Sequence, residues 1–286
     1  MLLMLVVVGL YTITSLNDKY AVSKAKYNGA QLTFLMAAGT APFLAMLLPW
    51  ADRTLTFTWQ ALVCVLLLAL SKYLEFDMSA RILKTMSAFE LKAWVGILLF
   101  ASYFTDAVMY GFSPDPFKIM FIVLTVAGLV MIAISGREKV EYGKIAVPLL
   151  LYLAARFGYG YVVKAAEPYI SSTLTLLFAL IVLALVMLPA AKPWTIPKES
   201  PEGIKGLLIV IACKIPNAFG LMGENAVAAE SMTNFAFIPP MILIVIFIIG
   251  LFSKSTRPTG LNLAGSIVCI AGILGFQIAD ILIANG

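Results

Sequence analysis

The sequence predicts an all-α membrane protein, with ten transmembrane helices laid out as two inverted five-helix repeats. Three observations carry that prediction. Of the 286 residues, 62% are hydrophobic and 12% are charged, where soluble domains run at about half and about a quarter. The apolar residues fall into ten runs, most of them close to the roughly 20 residues a helix needs to cross a bilayer. The two halves of the chain also come into partial register at an offset of about 144 to 146 residues.

The runs lie near 2–17, 29–49, 59–76, 85–105, 116–135, 144–163, 170–189, 203–223, 232–252 and 259–282. Backbone groups in lipid must be satisfied within their own segment, so helices are the expected form. No Lys or Arg precedes the stretch from Met1 to Leu16 and no A-x-A site follows it. A retained first helix is therefore expected, not a cleaved signal. Helix-ending punctuation separates the runs. Examples are Pro49-Trp50-Ala51-Asp52-Arg53, Ser113-Pro114-Asp115-Pro116, Ser135-Gly136-Arg137-Glu138-Lys139 and Lys192-Pro193-Trp194, the last followed by Pro197-Lys198-Glu199-Ser200-Pro201. The third and fourth runs are crowded with charge: Lys72, Glu75, Asp77, Arg81, Lys84, Glu90 and Lys92.

The loop charges are lopsided. After the odd-numbered spans come Lys19, Lys24 and Lys26; Arg81 and Lys84; Arg137, Lys139 and Lys144; Lys192, Lys198 and Lys205; and Lys254 and Arg257. The other loops hold Arg53, Lys118 and Lys164. The positive-inside rule then puts the odd-numbered loops in the cytoplasm and both termini outside.

The register between halves rests on short matches in a common order. Lys84-Thr85-Met86-Ser87-Ala88-Phe89 lies over Glu230-Ser231-Met232-Thr233-Asn234-Phe235, Pro114 over Pro258, and Ala127-Gly128 over Ala271-Gly272. With a few residues of slippage, Met46-Leu47-Leu48-Pro49 meets Val186-Met187-Leu188-Pro189. Five spans is an odd number, so the second half enters the bilayer from the opposite face. Inverted repeats of this kind serve a midplane site opened alternately to each side.

With these features the chain resembles the ten-helix drug/metabolite transporter superfamily, of the type built from two EamA domains. The residues that carry the likeness are the Ser/Thr-rich fourth-helix starts, Thr85-Met86-Ser87-Ala88 and Ser231-Met232-Thr233-Asn234, with Ile238-Pro239-Pro240 in the ninth span. Ala127-Gly128-Leu129-Val130 and Ala271-Gly272-Ile273-Leu274 add the glycine-bearing fifth and tenth spans. The likeness covers about 1–136 and 143–280, one five-helix repeat each. It implies a secondary transporter of small metabolites, a central cavity lined by helices 1, 3, 4, 6, 8 and 9, and termini in the cytoplasm, opposite to the charge count. Trp94-Val95-Gly96 stands where that family often has proline.

A central ionised side chain costs at least about 2.5–3.5 kcal/mol in a bilayer, so it pairs, meets water or serves function. Arg156 falls mid-span in the sixth run, Lys214 in the eighth and Lys72 two-thirds along the third. By the resemblance all three converge on the cavity. One reading makes Arg156 and Lys214, with Lys72, the holders of a substrate carboxylate or phosphate, since Arg offers a planar fork and Lys a mobile point charge. Pro216 would free backbone carbonyls beside Lys214 and let Asn217 join the same ligand. Tyr159, three residues from Arg156, shares its face; Tyr161 does not. The other reading is a structural network in which these cations neutralise Glu75, Glu90 or Glu224. Glu90 is either a titrating coupling group or a structural one, paired with Lys92 or Lys72 or sitting at the membrane interface. Asp106, Glu167, Glu224 and Asp280 fall near span ends, where solvent is expected. Gly265, Gly272 and Gly275 suit close helix contact, within the monomer or in a homodimer.

The absence of His, of HExxH and GxSxG, and of paired Cys argues against an intramembrane enzyme. Cys64, Cys213 and Cys269 sit apart in apolar runs as buried hydrophobes. No phosphate-binding GxxxxGK[ST] loop is present, so a gradient or exchange would supply the energy. The expected function is therefore secondary transport of a small anionic or zwitterionic metabolite by alternating access. The expected setting is a multi-pass position in the cytoplasmic (inner) membrane, with no cofactor, no metal and no nucleic acid. The rivals are an exporter of cationic or hydrophobic solutes built on aromatics and Glu90, and a non-transporting membrane assembly partner.

Overall fold

The computed structural model describes residues 2–86, 88–135, 142–251 and 260–285. Arg137, Lys139, Lys254, Arg257, Pro258 and Ser87 lie outside the described residues, as does the side chain of Asp280. The architecture is helical, with α1 (Leu2–Ser23), α2 (Gly29–Leu47), α3 (Trp59–Ile82), α4 (Ala88–Val95), α5 (Leu98–Tyr110), α6 (Pro116–Ile134) and α7 (Tyr142–Ala166). There follow α8 (Ser172–Ala191), the short α9 (Ile196–Glu199), α10 (Gly203–Ala212), α11 (Lys214–Glu230), α12 (Met232–Leu251) and α13 (Gly260–Asn285).

Local chemistry sets the helix ends. Asn28 and Gln31 form a reciprocal capping box that starts α2. Thr58 caps α3 through Ala61 N–H, and Asp115 caps α6 by accepting from the Phe117 and Lys118 amides, with Pro116 at the first helical position. At its far end α5 stops on Gly111 in the left-handed conformation, φ 68°.

Among the described residues, eight helical spans are long and apolar enough to cross a membrane, which makes this a multi-pass integral membrane protein. Two of the ten expected spans, α1 and α3, are not among the eight. Each carries charge in its second half: Asp18 and Lys19, and Lys72, Glu75, Asp77 and Arg81. The fourth expected span is split between Val95 and Leu98 into α4 and α5. Gly96 lies at that break, and a Cβ there would collide with the Leu129 side chain of α6. The eighth is split at Cys213 into α10 and α11. Pro216 has no N–H to give the carbonyl four residues back, and the helix restarts around that missing bond.

The chain divides into two compact units. One holds residues 1–87 and 140–230, and the other 88–139 and 231–286. Within the first, α1 packs on α11, α2 on α8 and α3 on α7. Its two ends are fastened by loops. At one, Thr56 N–H donates to Tyr169 O and Ser171 N–H to Thr54 O, both at 2.8 Å, over an apolar floor of Ala61, Val65, Ala166, Ile170 and Leu174. At the other, Gln31 donates to Glu199 at 2.7 Å and Ser200 to Ala25 O at 2.9 Å.

Within the second unit, α6 packs on α13, and α12 on α4 and α5. The glycines there serve contact inside the monomer. A Cβ on Gly128 would lie 2.6 Å from Gly265 O, and one on Gly272 would lie 2.6 Å from Thr125 N. Asp106 corrects an expectation, because it is buried at 3% exposure and not solvated. From α5 it accepts hydrogen bonds from Ser231 Oγ, Met232 N–H and Thr233 N–H, which caps the start of α12.

Candidate functional site

The first unit buries a polar cluster built by α1, α3, α7 and α11. Lys72 Nζ donates to Glu75 Oε2 at 2.8 Å, one helical turn away on α3. Arg156 on α7 donates through Nη1 to Glu75 Oε1 at 3.1 Å and through Nη2 to Glu224 Oε1 on α11. Tyr11 on α1 donates to the second Glu224 oxygen. Tyr159 donates to Asn225 Oδ1, and Asn225 Nδ2 donates to Ser172 O at 2.9 Å. The Lys72 ammonium also sits 3.7 Å from the Tyr159 ring centroid, close enough for a cation–π contact.

These groups are shut away. Exposure is 0% for Glu224, 1% for Lys72, 4% for Arg156 and 8% for Glu75. In such surroundings an unpaired charge is costly, and removing one partner typically costs about 3–5 kcal/mol. Two cations against two carboxylates leave no net charge, and the helices supply those partners because α3 packs on α7 and α7 on α11.

Arg156, Lys72 and Tyr159 therefore meet as the sequence suggested, but the cations are already held by carboxylates. Glu224 corrects a second expectation: it is the most buried acid of the cluster, not a solvated span end. A Tyr11 hydroxyl facing a Glu across the bundle had no signal in the sequence, because nothing in a single chain links positions so far apart.

Lys214 does not join the cluster. It lies ten positions before Glu224 along α11, about 15 Å of helix at 1.5 Å per residue. Its Nζ, fully buried, meets Met36 Sδ at 2.7 Å and Asp18 Oδ1 at 3.5 Å. The lysine stem crosses α2 at Gly39, where a Cβ would lie 3.1 Å from Lys214 Cγ. Asn217 donates to Thr40 Oγ1 at 3.0 Å, so it faces α2 as well. The expected convergence of three cations is thus two and one. Glu90 belongs to the second unit, on α4, where it is buried at 3% exposure.

Two further lysines tie helix ends. Lys19 donates to Leu83 O at 2.8 Å and Met86 O at 3.1 Å, beyond the end of α3. Lys164 donates to Ala229 O at 3.4 Å and Glu230 O at 3.1 Å, at the end of α11. A cation is favoured there by the unsatisfied carbonyls and the helix dipole.

Fold and composition define the class: a multi-pass, all-helical integral membrane protein whose first unit encloses a charge-balanced polar cluster. No family model matches the chain, and no curated protein matches it. A solved structure described only as "Crystal structure of protein" is similar to it with a TM-score of 0.64 and 15% identity, covering 98% of this chain and 96% of that one. At that identity the likeness speaks for the fold alone.

Proposed function

We propose that the chain is a ten-helix secondary transporter of the drug/metabolite type, moving a small zwitterionic metabolite across the membrane by alternating access. The observation that carries this reading is the balanced Lys72–Glu75–Arg156–Glu224 cluster. A purely anionic solute would have to take Arg156 from two carboxylates at once. A zwitterion offers a carboxylate to the cations and an ammonium to the acids, and so exchanges one set of pairs for another. Two broken helices, at Gly96 and Cys213, support the reading, since transporters build their sites around discontinuous helices.

The inverted repeat behind this proposal gains support from Lys19 and Lys164. Positions 19 and 164 are separated by the offset already seen in the sequence, and each lysine caps the helix two spans further on in its own half. The pairing of α1 with α11, α2 with α8 and α3 with α7 also joins the halves in a reciprocal pattern.

The test is uptake and counterflow in proteoliposomes, with zwitterionic amino acids, carboxylates, phosphates and quaternary amines offered in parallel. Uptake of zwitterions that Arg156→Ala and Glu224→Gln both abolish is expected. Transport of anions alone would overturn the substrate class. The complete internal pairing of Arg156 and Lys72 also favours the rival in which the network only joins helices. Folded protein with no flux for any solute would decide for that rival.

A further inference from the structure

Where α1 and α3 end, a cleft of about 440 Å³ is lined by Val22, Ser23, Lys26, Tyr27, Asn28, Leu83 and Lys84. Its charged lining is basic only. Lys26 and Lys84 are exposed, come from separate segments, and have no hydrogen bond or ion pair with another described residue. Acids close by in the chain are engaged elsewhere. Asp77 pairs with Arg81 at 2.7 Å, and Asp18 faces Lys214. Lys26 is fixed in the left-handed region at φ 56°, an unfavourable backbone for a lysine. Such strain persists only where surroundings impose it, and it clusters at functional sites.

We propose that this cleft binds a phosphate-bearing anion, the headgroup of an acidic phospholipid, between Lys26 and Lys84. The position favours a lipid. Both helices end there, and the outer face of α1 continues from Ser23 to Leu16, two turns away, which is 58% exposed, and on to Ile13 at 51%. An acyl chain can lie along that face while the phosphate meets the two ammonium groups above an apolar floor of Val22 and Leu83. Basic pockets between membrane helices take anionic headgroups in this way. The cleft is separate from the buried cluster and does not depend on transport.

Native mass spectrometry of the full chain in neutral detergent tests this, titrated with phosphatidylglycerol and with phosphatidylcholine. Phosphatidylglycerol is expected to bind preferentially and to weaken roughly 30-fold in the Lys26→Gln/Lys84→Gln double variant, as about 1 kcal/mol per lysine implies. Arg53→Gln, exposed on a different loop, should bind as the parent does and controls for general charge loss. A parallel arm uses inorganic phosphate, read by thermal shift. Stabilisation by phosphate alone would keep the anion site and overturn the lipid as its source. Equal phosphatidylglycerol affinity in parent and double variant would overturn the site.

Discussion

Lys19 and Lys164 make similar contacts at corresponding places in the two halves: Lys164 reaches the last two carbonyls of α11, and Lys19 reaches Leu83 O and Met86 O just past the end of α3. Loss of either should unfasten one helix end. Lys19→Met and Lys164→Met are each expected to destabilise by ~1 kcal/mol, within the range of a partly buried cation at a helix C-terminus. Their effects should add, since the two sites share no partner. Denaturation in detergent measures both, and grossly unequal losses would count against an equivalent role.

Arg156 and Glu224 should behave as a coupled pair. Glu224→Gln alone leaves a buried guanidinium short of one partner and is expected to cost ~3 kcal/mol. Arg156→Met combined with Glu224→Gln leaves Lys72 and Glu75 still balanced. The double variant should therefore lose less than the two single losses together, with a coupling of ~1–3 kcal/mol in a double-mutant cycle.

Asp106 holds the first turn of α12 from across the second unit. Asp106→Ala is expected to cost ~2 kcal/mol, the loss of a cap together with buried donors left without an acceptor. Asp106→Asn keeps one accepting oxygen and should cost less. Hydrogen exchange at Met232 and Thr233 would localise the effect, and unchanged protection in the alanine variant would refute it.

Gly128→Val should force α6 away from α13, because the new side chain starts 2.6 Å from Gly265 O. Overpacking of this kind costs ~1–3 kcal/mol or more. Val130→Ala, nearby on α6 but half-buried, serves as a control and should be far milder.

In the loop after α2, the Thr54 hydroxyl and its N–H both donate to Asp52 Oδ1 and hold that carboxyl below the usual carboxylate range. Because the folded value is the lower one, the stabilisation is present above the unfolded pKa and is lost as pH falls through the folded pKa. Thr54→Val should bring the Asp52 titration back up, read by carboxyl carbon NMR. An unmoved midpoint would show that the hydroxyl is not the cause.

Much of the architecture was legible because lipid demands it. Long apolar runs must be helices, and breaks such as Ser113-Pro114-Asp115-Pro116 mark ends by chemistry confined to a few neighbouring residues. The breaks were less legible. In the sequence Pro216, four residues after the point where one helix stops, signals freed carbonyls and not a break, and Gly96 signals no break at all. Only the packing shows that a Cβ there would collide with the Leu129 side chain of another helix.

The polar site was half legible. Arg156, Lys72 and Lys214 stand out because a charge in an apolar run is expensive wherever it points. Their partners did not stand out. Glu224 and Asp106 look like ordinary span ends, and only the packing of α7 on α11 and of α5 on α12 makes them buried acceptors.

By itself, then, the sequence determined that this is a helical membrane protein, roughly where its helices run and which side chains are costly to bury. Those are consequences of transfer energies and of local hydrogen bonding. Which carboxylate meets which cation was decided by the tertiary structure alone. In a membrane helix both the lipid face and the packed face are apolar, so no periodicity tells one from the other. A partner's identity emerges only when the faces are brought together.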